Sequence, residues 1–565
     1  MKNARVSDSV LKLMLLCAIA LFMLTFIIIR PVDVMELPDA KLYPLYYFLV
    51  QPMTVWIAVP LAVLVVVFSP RPFHRVLVVL ILALLIEFLP SFMVVNPWLP
   101  DQYPYLAEAY WIYLYGKISS IQYLSIVPGL GLSYGIFEIV TDLSPFIMSK
   151  AFSFIQAIML VIMLVPLSKK LTGDEALLPL LFLSLNYFTN IISTFHRAGL
   201  HFTYTLILLY FVFTTLSHQN LKWRCALAST IVFGAMVLTY PGSGFILTAI
   251  IGAYLLLYIT RKAPPASLKL SAVVFSIIFS VWYGYVAWSE LRVVGSIWSC
   301  LADVLQLELS FEESMTHPFT AGLTPLFRTL VYVRLIIEGG VIATGFLIAL
   351  YKYISVIMSR FREGRDSDIP FAYMLTLASL IAPAPWLLTD WSRWSFYHFS
   401  HYFLLFSLMS FLYYIYSQRH LRRSMNLLPI KMLAIIAITS TLLLVPLLRY
   451  ASLPYLSVTT PELHSTFFVH KYFAFDSNCY YLEYPPNILP GLLVRGNAFH
   501  KIYSMYWFEN VTLGLYIVTN RALTRDGFYL YLLPLQVRLE ELENSMIVQG
   551  VKVYDNEYNR IYYLE

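Results

Sequence analysis

NPWLPDQYPYLAEAYWIYLYGKI, residues 96–118, and VPGLGLSYGIFEIVTDLSP, residues 127–145, bracket the first long polar interruption in an otherwise apolar chain. The interruption runs from 96 to 148 and holds four acids: Asp101, Glu108, Glu138 and Asp142. Asp101 follows directly on an apolar stretch ending WLP. Its carboxylate is therefore expected at a membrane surface, where partial desolvation raises its basicity. LAEAYWIYLYGKI and LSYGIFEIV combine good helix formers with mixed apolar faces, which predicts two short helices lying along the interface. Such helices would wall a site at the level of the lipid headgroups.

The rest of the chain explains why a membrane enters the argument. Of 565 residues, 59% are hydrophobic and only 12% charged, against roughly one quarter charged in soluble domains. The chain reads as a polytopic membrane protein. Its formal charge of +6 sits in short clusters between apolar runs, the pattern that orients helices across a bilayer. No nucleic-acid partner is expected. Cys17, Cys225, Cys300 and Cys479 show no metal-ligand or disulfide spacing, although Cys300 and Cys479 fall where they would face outward and pair. The first thirty residues have a basic start and a long apolar run without a small-residue cleavage site, which reads as a retained first span.

A spanning helix needs roughly 20 apolar residues, and such runs number about thirteen. Their cores fall near 11–29, 44–69, 76–95, 145–167, 176–193, 202–217, 225–240, 243–260, 270–289, 336–358, 371–389, 399–417 and 432–448. Basic residues alternate with them: Lys2 and Arg5, Arg71 and Arg75, Lys169 and Lys170, Lys222 and Arg224, Arg261 and Lys262, Arg360 to Arg365, and Arg419 to Arg423 share one side. By the positive-inside rule that side is cytoplasmic, with the N-terminus on it. The 96–148 loop, a second long loop at 290–335 and residues 449–565 then face outward. GSIWSCLADVLQLELSFEE and TPLFRTLVYVRLI in the second loop read as interfacial or re-entrant segments. The expected fold is an all-α transmembrane domain over 1–448 followed by a small mixed α/β extracytoplasmic domain over 449–565. GLYIVTN and GFYLYLL read there as strands, and KVYDNEYNRIYYLE as strand, turn, strand. Asn510, Val511 and Thr512 form a glycosylation sequon compatible with that placement.

Transfer of a sugar from a polyprenyl phosphate carrier would suit this layout, because the bilayer must dissolve one substrate. An acceptor hydroxyl needs a carboxylate base, and a departing phosphate needs fixed positive charge. Asp101 offers the base, with Glu108, Glu138 and Asp142 as further acids. His196, Arg197 and His201 fall in TFHRAGLH, read as a short outer turn, and Arg393 in TDWSRWSFYHFSH, with His398 and His401 nearby. Arg393, His196, Arg197 and Lys150 are the candidates for holding phosphate, with Arg328 and Arg334 behind them. Each has a plainer reading. An acid opening a loop is usually solvated or a helix cap, and arginines at a membrane surface often only anchor headgroups. Arg334 and Glu338 share a helical face and neutralise each other on the plainer view. Trp391, Trp394, Phe396 and Tyr397 read first as an interface belt. No metal or other cofactor is expected.

The order of span, outer loop opening on an acid, two interfacial helices, a PG turn and then TDLSPFIMSKAFSFIQAIMLVIMLVPLSKKLTGDEALLPLLFLSLNYF resembles the multi-spanning glycosyltransferases of the GT-C class. The likeness is to prokaryotic relatives of the protein O-mannosyltransferase and dolichyl-phosphate-sugar-dependent group, over residues 76–215, and the terminal VYDNEYNRIYY resembles the end of archaeal members. The resemblance implies a lipid-linked sugar donor, a glycan or protein acceptor on the extracytoplasmic face, and inversion at the anomeric carbon. It places the family's loop acid on Asp101 and its late arginine on Arg393. The chain departs from the family where Asp101 is followed by Gln102 rather than a second acid, where two extra spans precede the loop, and in having no WWDYG stretch. The rivals are a transporter or flippase, which would show broken helices in matching halves, and a non-catalytic membrane scaffold. Pro241 with Gly242 and Gly244, and Pro383 with Pro385, interrupt apolar runs, but the halves do not match.

Overall fold

A computed structural model describes residues 7–31, 52–93, 105–106, 108–109, 112–113, 116–118, 128–143, 145–186, 196–217, 222–260, 266–286, 325–363, 370–383, 395–417, 428–450 and five strands between 479 and 564. Helices stand at each of the thirteen apolar runs. In chain order they are α1 (Asp8–Ile28), α2 (Met53–Phe68) and α3 (Pro72–Met93), then α4 (Gly129–Thr141), α5 (Pro145–Thr172) and α6 (Leu177–Leu185). They continue as α7 (Arg197–Ser217), α8 (Lys222–Thr239), α9 (Ser243–Thr260), α10 (Ala266–Val281), α11 (Pro325–Glu363), α12 (Phe371–Ile381), α13 (Ser395–Ser417) and α14 (Leu428–Tyr450). Eight of the described helices are long and apolar enough to cross a membrane. The protein is a multi-pass membrane protein. The helix α4 is the additional one and falls where the second of the two short helices is expected in the 96–148 loop.

The bundle is sewn by small residues where helices cross. A Cβ on Gly345 of α11 would collide with Ser407 of α13, and one on Gly252 of α9 would lie 2.9 Å from the Ala378 methyl of α12. Small side chains bring backbones close where apolar lipid offers no hydrophobic drive to association. Polar pairs do the rest. Thr203 of α7 donates to the Gln156 amide oxygen on α5, Ser153 of α5 donates to Ser91 of α3 at 3.3 Å, and Thr376 of α12 lies 2.7 Å from Ser410 of α13. Each adds a contact between helices to hydroxyls that also reach backbone carbonyls of their own or a neighbouring helix.

Residues 290–324 of the second loop, with the stretch GSIWSCLADVLQLELSFEE, lie outside the described residues. Residues 325–335 are the first three turns of α11, continuous with its apolar stretch, and not a re-entrant segment. Pro325 opens the helix where its missing N–H costs nothing, and no further proline or glycine interrupts the chain before Gly339. Arg328 and Arg334 are thus helical positions of α11, and Glu338, one turn on, is fully buried.

Beyond residue 478 the described residues form one five-stranded sheet in the order β2-β1-β3-β5-β4, where β1 is Cys479–Leu482, β2 Ile502–Ser504, β3 Gly514–Thr519, β4 Val551–Asp555 and β5 Asn559–Leu564. β3 is the stretch GLYIVT. The terminal segment is the expected antiparallel pair, with Asp555 opposite Arg560 and an irregularity between Lys552 and Tyr554. β1 runs parallel to both β2 and β3. The stretch GFYLYLL, the sequon at Asn510, Cys300, Asp101 and Arg393 lie outside the described residues.

Candidate active site

The site grows from the start of α7. His196 Nδ1 accepts the Ala198 N–H at 3.1 Å and its carbonyl accepts the Gly199 N–H at 3.0 Å. These bonds satisfy amides that a helix start leaves open, so the helix begins at Arg197. The stretch TFHRAGLH is therefore not a turn throughout: Arg197 and His201 are helical and buried, and only His196 precedes the helix.

Arg197 lies over two aromatic rings. Its guanidinium carbon lies 5.9 Å from the Tyr105 ring centroid and 5.4 Å from that of Tyr240. Tyr105 belongs to the 96–148 loop and also sets its ring at right angles to His196, centroids 5.4 Å apart. Tyr240 follows α8 and is fixed from three sides. Its N–H bonds the Met236 carbonyl at 3.0 Å, Pro241 follows it, and Gly242 lies beneath its ring, where a Cβ would come within 2.7 Å of two ring carbons.

One turn along α7, His201 lies edge-on to Tyr240 at 5.5 Å and shares a short hydrogen bond with the Tyr402 hydroxyl of α13. Tyr402 packs on Phe245 of α9, and His401 packs on Phe202 of α7. Helices α7 and α13 and the turn between α8 and α9 thus meet through Arg197, His201, Tyr240 and Tyr402. Of the residues gathered here, His196, Arg197, His201 and His401 are candidates legible in the sequence, while Tyr105, Tyr240 and Tyr402 are not. The signal for Tyr240 was the TYPG break between two apolar runs.

The loop acids separate by environment. Glu108 is buried beneath Gly131 of α4, at which a Cβ would strike the Glu108 side chain, and Gly135 meets Ile112 in the same manner. Glycines one turn apart on α4 let the helical residues around 105–113 pack against its backbone. Glu138 is 2% exposed and its Oε2 has no hydrogen-bond partner among the described residues. Burial, and then the charge of Asp142, push its carboxyl up to about 7. Burial, with the Tyr204 phenol beside it, holds the Tyr134 phenol above its usual range. Asp142 is exposed, ends α4 in the left-handed conformation at φ 55° and accepts the Tyr113 hydroxyl at 2.6 Å. It ties the two loop helices together.

Lys150 sits half-buried on α5. The structure brings His196 and Arg197 together with the loop through Tyr105, while Arg328 and Arg334 are placed only as positions along α11. Glu87, buried in the π-helical turn Leu84–Phe88 of α3, went unremarked in the sequence because it lies inside an apolar run. Among the described residues no group of three or more His, Cys, Asp or Glu side chains stands where it could hold a metal ion.

No protein-family model and no curated protein matches the sequence. Among solved structures, the chain is similar to the oligosaccharyltransferase of Archaeoglobus fulgidus, crystallised with a tethered acceptor peptide containing the NVT sequon. The identity is 13% over 82% of this chain and 72% of that one, with a TM-score of 0.48. It is also similar, at 13% identity over 87% of this chain and 98% of that one, to ArnT from Cupriavidus metallidurans, with TM-scores of 0.43 for the form bound to undecaprenyl phosphate and 0.41 for the apo form.

Proposed function

We propose that the chain is a membrane glycosyltransferase that moves one sugar from a polyprenyl or dolichyl phosphate donor to a glycan or protein acceptor on the extracytoplasmic face, with inversion. The observation that carries this reading is the tie between Arg197 and the loop. Tyr105, which touches both Arg197 and His196, stands four residues after Asp101 in the chain. A carboxylate base and a fixed cation are the two groups the reaction asks for.

In this reading the Asp101 carboxylate takes the proton of the acceptor hydroxyl. The hydroxyl oxygen bonds the anomeric carbon, and the carbon–oxygen bond to phosphate breaks with its electrons leaving on the phosphate. Arg197 and His196, with Arg393, stabilise that charge, so no metal is needed for departure. Lys150, Arg328 and Arg334 are further phosphate partners, and the loop acids Glu108 and Glu138 shape the wall of the site. The likeness of residues 76–215 to lipid-phosphate-sugar enzymes supports the same donor class.

The test is incubation of the purified chain in lipid nanodiscs with a panel of polyprenyl phosphate sugars, following release of polyprenyl phosphate. Release from one donor, dependent on an added acceptor, is expected. No turnover of any donor by folded protein overturns the reading. That result favours a transporter, for which Glu87 and Glu338, both acids buried in long apolar helices, are the specific support.

A further inference from the structure

We infer that Tyr240 is a positioning residue for the phosphate of the donor: it acts on that phosphate through Arg197, whose guanidinium it orients. The inference rests on the phosphate-holding role proposed above for Arg197. A free arginine side chain samples many rotamers, and ordering it on binding costs affinity. Arg197 lies over Tyr105, which belongs to the loop, and over Tyr240, which belongs to the bundle.

Tyr240 is itself immobilised by three independent features. Gly242 leaves room for nothing larger than hydrogen under its ring. The His201 ring abuts it at 5.5 Å, and His201 is in turn fixed by its hydrogen bond to Tyr402. Its backbone closes α8 through Met236 and opens α9 through the Ser243 N–H, which donates to the Tyr240 carbonyl at 3.2 Å. The aromatic face therefore has one orientation, set by three helices, and the cation stacked on it inherits that orientation. What Arg197 needs from residue 240 is a ring face. The hydroxyl is dispensable to it, because the ring quadrupole supplies the attraction.

The experiment measures binding of undecaprenyl phosphate, with undecaprenol as the uncharged control, to full-length protein in nanodiscs. Tyr240→Phe is expected to bind within about twofold of the natural chain, because the face is kept. Tyr240→Leu keeps bulk and loses the face, and Gly242→Ala keeps the face and pushes it aside. Both are expected to weaken undecaprenyl phosphate binding roughly three- to thirtyfold while leaving undecaprenol binding unchanged. Gly234→Ala, on α8 with open space around it, is the control and is expected to change neither. Should Tyr240→Leu fail to fold, Gly242→Ala, which adds one methyl, decides the matter. Unchanged phosphate binding in the Tyr240→Leu and Gly242→Ala variants, with Arg197→Gln weakened, overturns the positioning role and leaves the phosphate role of Arg197 standing. Unchanged binding in Arg197→Gln overturns both.

Discussion

Nη2 of Arg75, in the first turn of α3, lies 2.8 Å from each carboxylate oxygen of Asp174, in the turn between α5 and α6. Arg75 Nε also donates to the Val66 carbonyl of α2 at 2.8 Å, and Asp174 Oδ1 accepts the Ala176 N–H at 3.0 Å. One ion pair therefore joins three helix ends and begins a fourth. At the opposite end of the bundle from the candidate site, it holds the scaffold in register.

Because both side chains are largely buried, deleting one leaves the other's charge without its partner. Asp174→Ala is expected to destabilise by about 1–3 kcal/mol, read as a lowered unfolding midpoint in detergent. Replacing Arg75 and Asp174 together with leucine should cost less than the sum of the single changes. Strict additivity would show that the pair is not coupled.

Glu138 makes stability depend on pH. Its carboxyl is raised from 4.5 to about 7 by burial and by Asp142, so between those values the folded chain holds a proton that the unfolded chain has released. The contribution is fully present below about 4.5 and is lost as pH rises through about 7. Glu138→Gln, always neutral, should therefore be more stable than the natural chain at pH 8, on the order of 1 kcal/mol after allowance for the solvent beside α4. The two should converge near pH 4.5. Unfolding midpoints measured across that range check this; a constant offset would contradict it.

The glycines of α4 are a steric test of the loop. Gly131→Ala drives a methyl into the Glu108 side chain, and Gly135→Ala drives one into Ile112. Each is expected to lift the helical residues near 105–113 off α4 and raise their amide hydrogen exchange by roughly tenfold or more. Exchange in α9 and α12, which pack against each other elsewhere, should not change.

Thr203 and Gln156 bond inside the bundle. Thr203→Val keeps the shape, removes the donor and is expected to cost roughly 0.6–1.7 kcal/mol in lipid, seen as a lower resistance to denaturing detergent.

Much of this architecture was legible in the sequence, and the places where it was not have physical reasons. The run 243–260 coincides with α9, Ser243–Thr260, because Pro241 and Gly242 end one helix and allow the next. The apolar run 336–358 matches the candidate span Ile336–Ser359 of α11; the helix also reaches back to Pro325, because Arg328 and Arg334 depress the hydropathy there, yet charges do not break a helix in a stretch without proline or glycine to stop it. TFHRAGLH was read as a turn because polar residues and a glycine crowd it; the His196 side chain caps the helix instead, a bond that composition does not announce. Glu108, Glu138 and Asp142 are all legible as loop acids, but that both glutamates are buried while Asp142 is exposed depends on Gly131 and on the fold of α4. The joining of His201 to Tyr402, 201 residues apart, is tertiary. A tyrosine near the end of a span reads equally well as a membrane anchor.

The measurement that tests the central claim most directly is transfer of radiolabelled sugar from its polyprenyl phosphate donor by the natural chain and by Asp101→Asn, side by side in nanodiscs, with donor binding measured on the same samples. Removing a catalytic base typically costs 10²–10⁴-fold, so the account predicts a loss of about that size in turnover with donor binding unchanged. Full transfer by Asp101→Asn would contradict it.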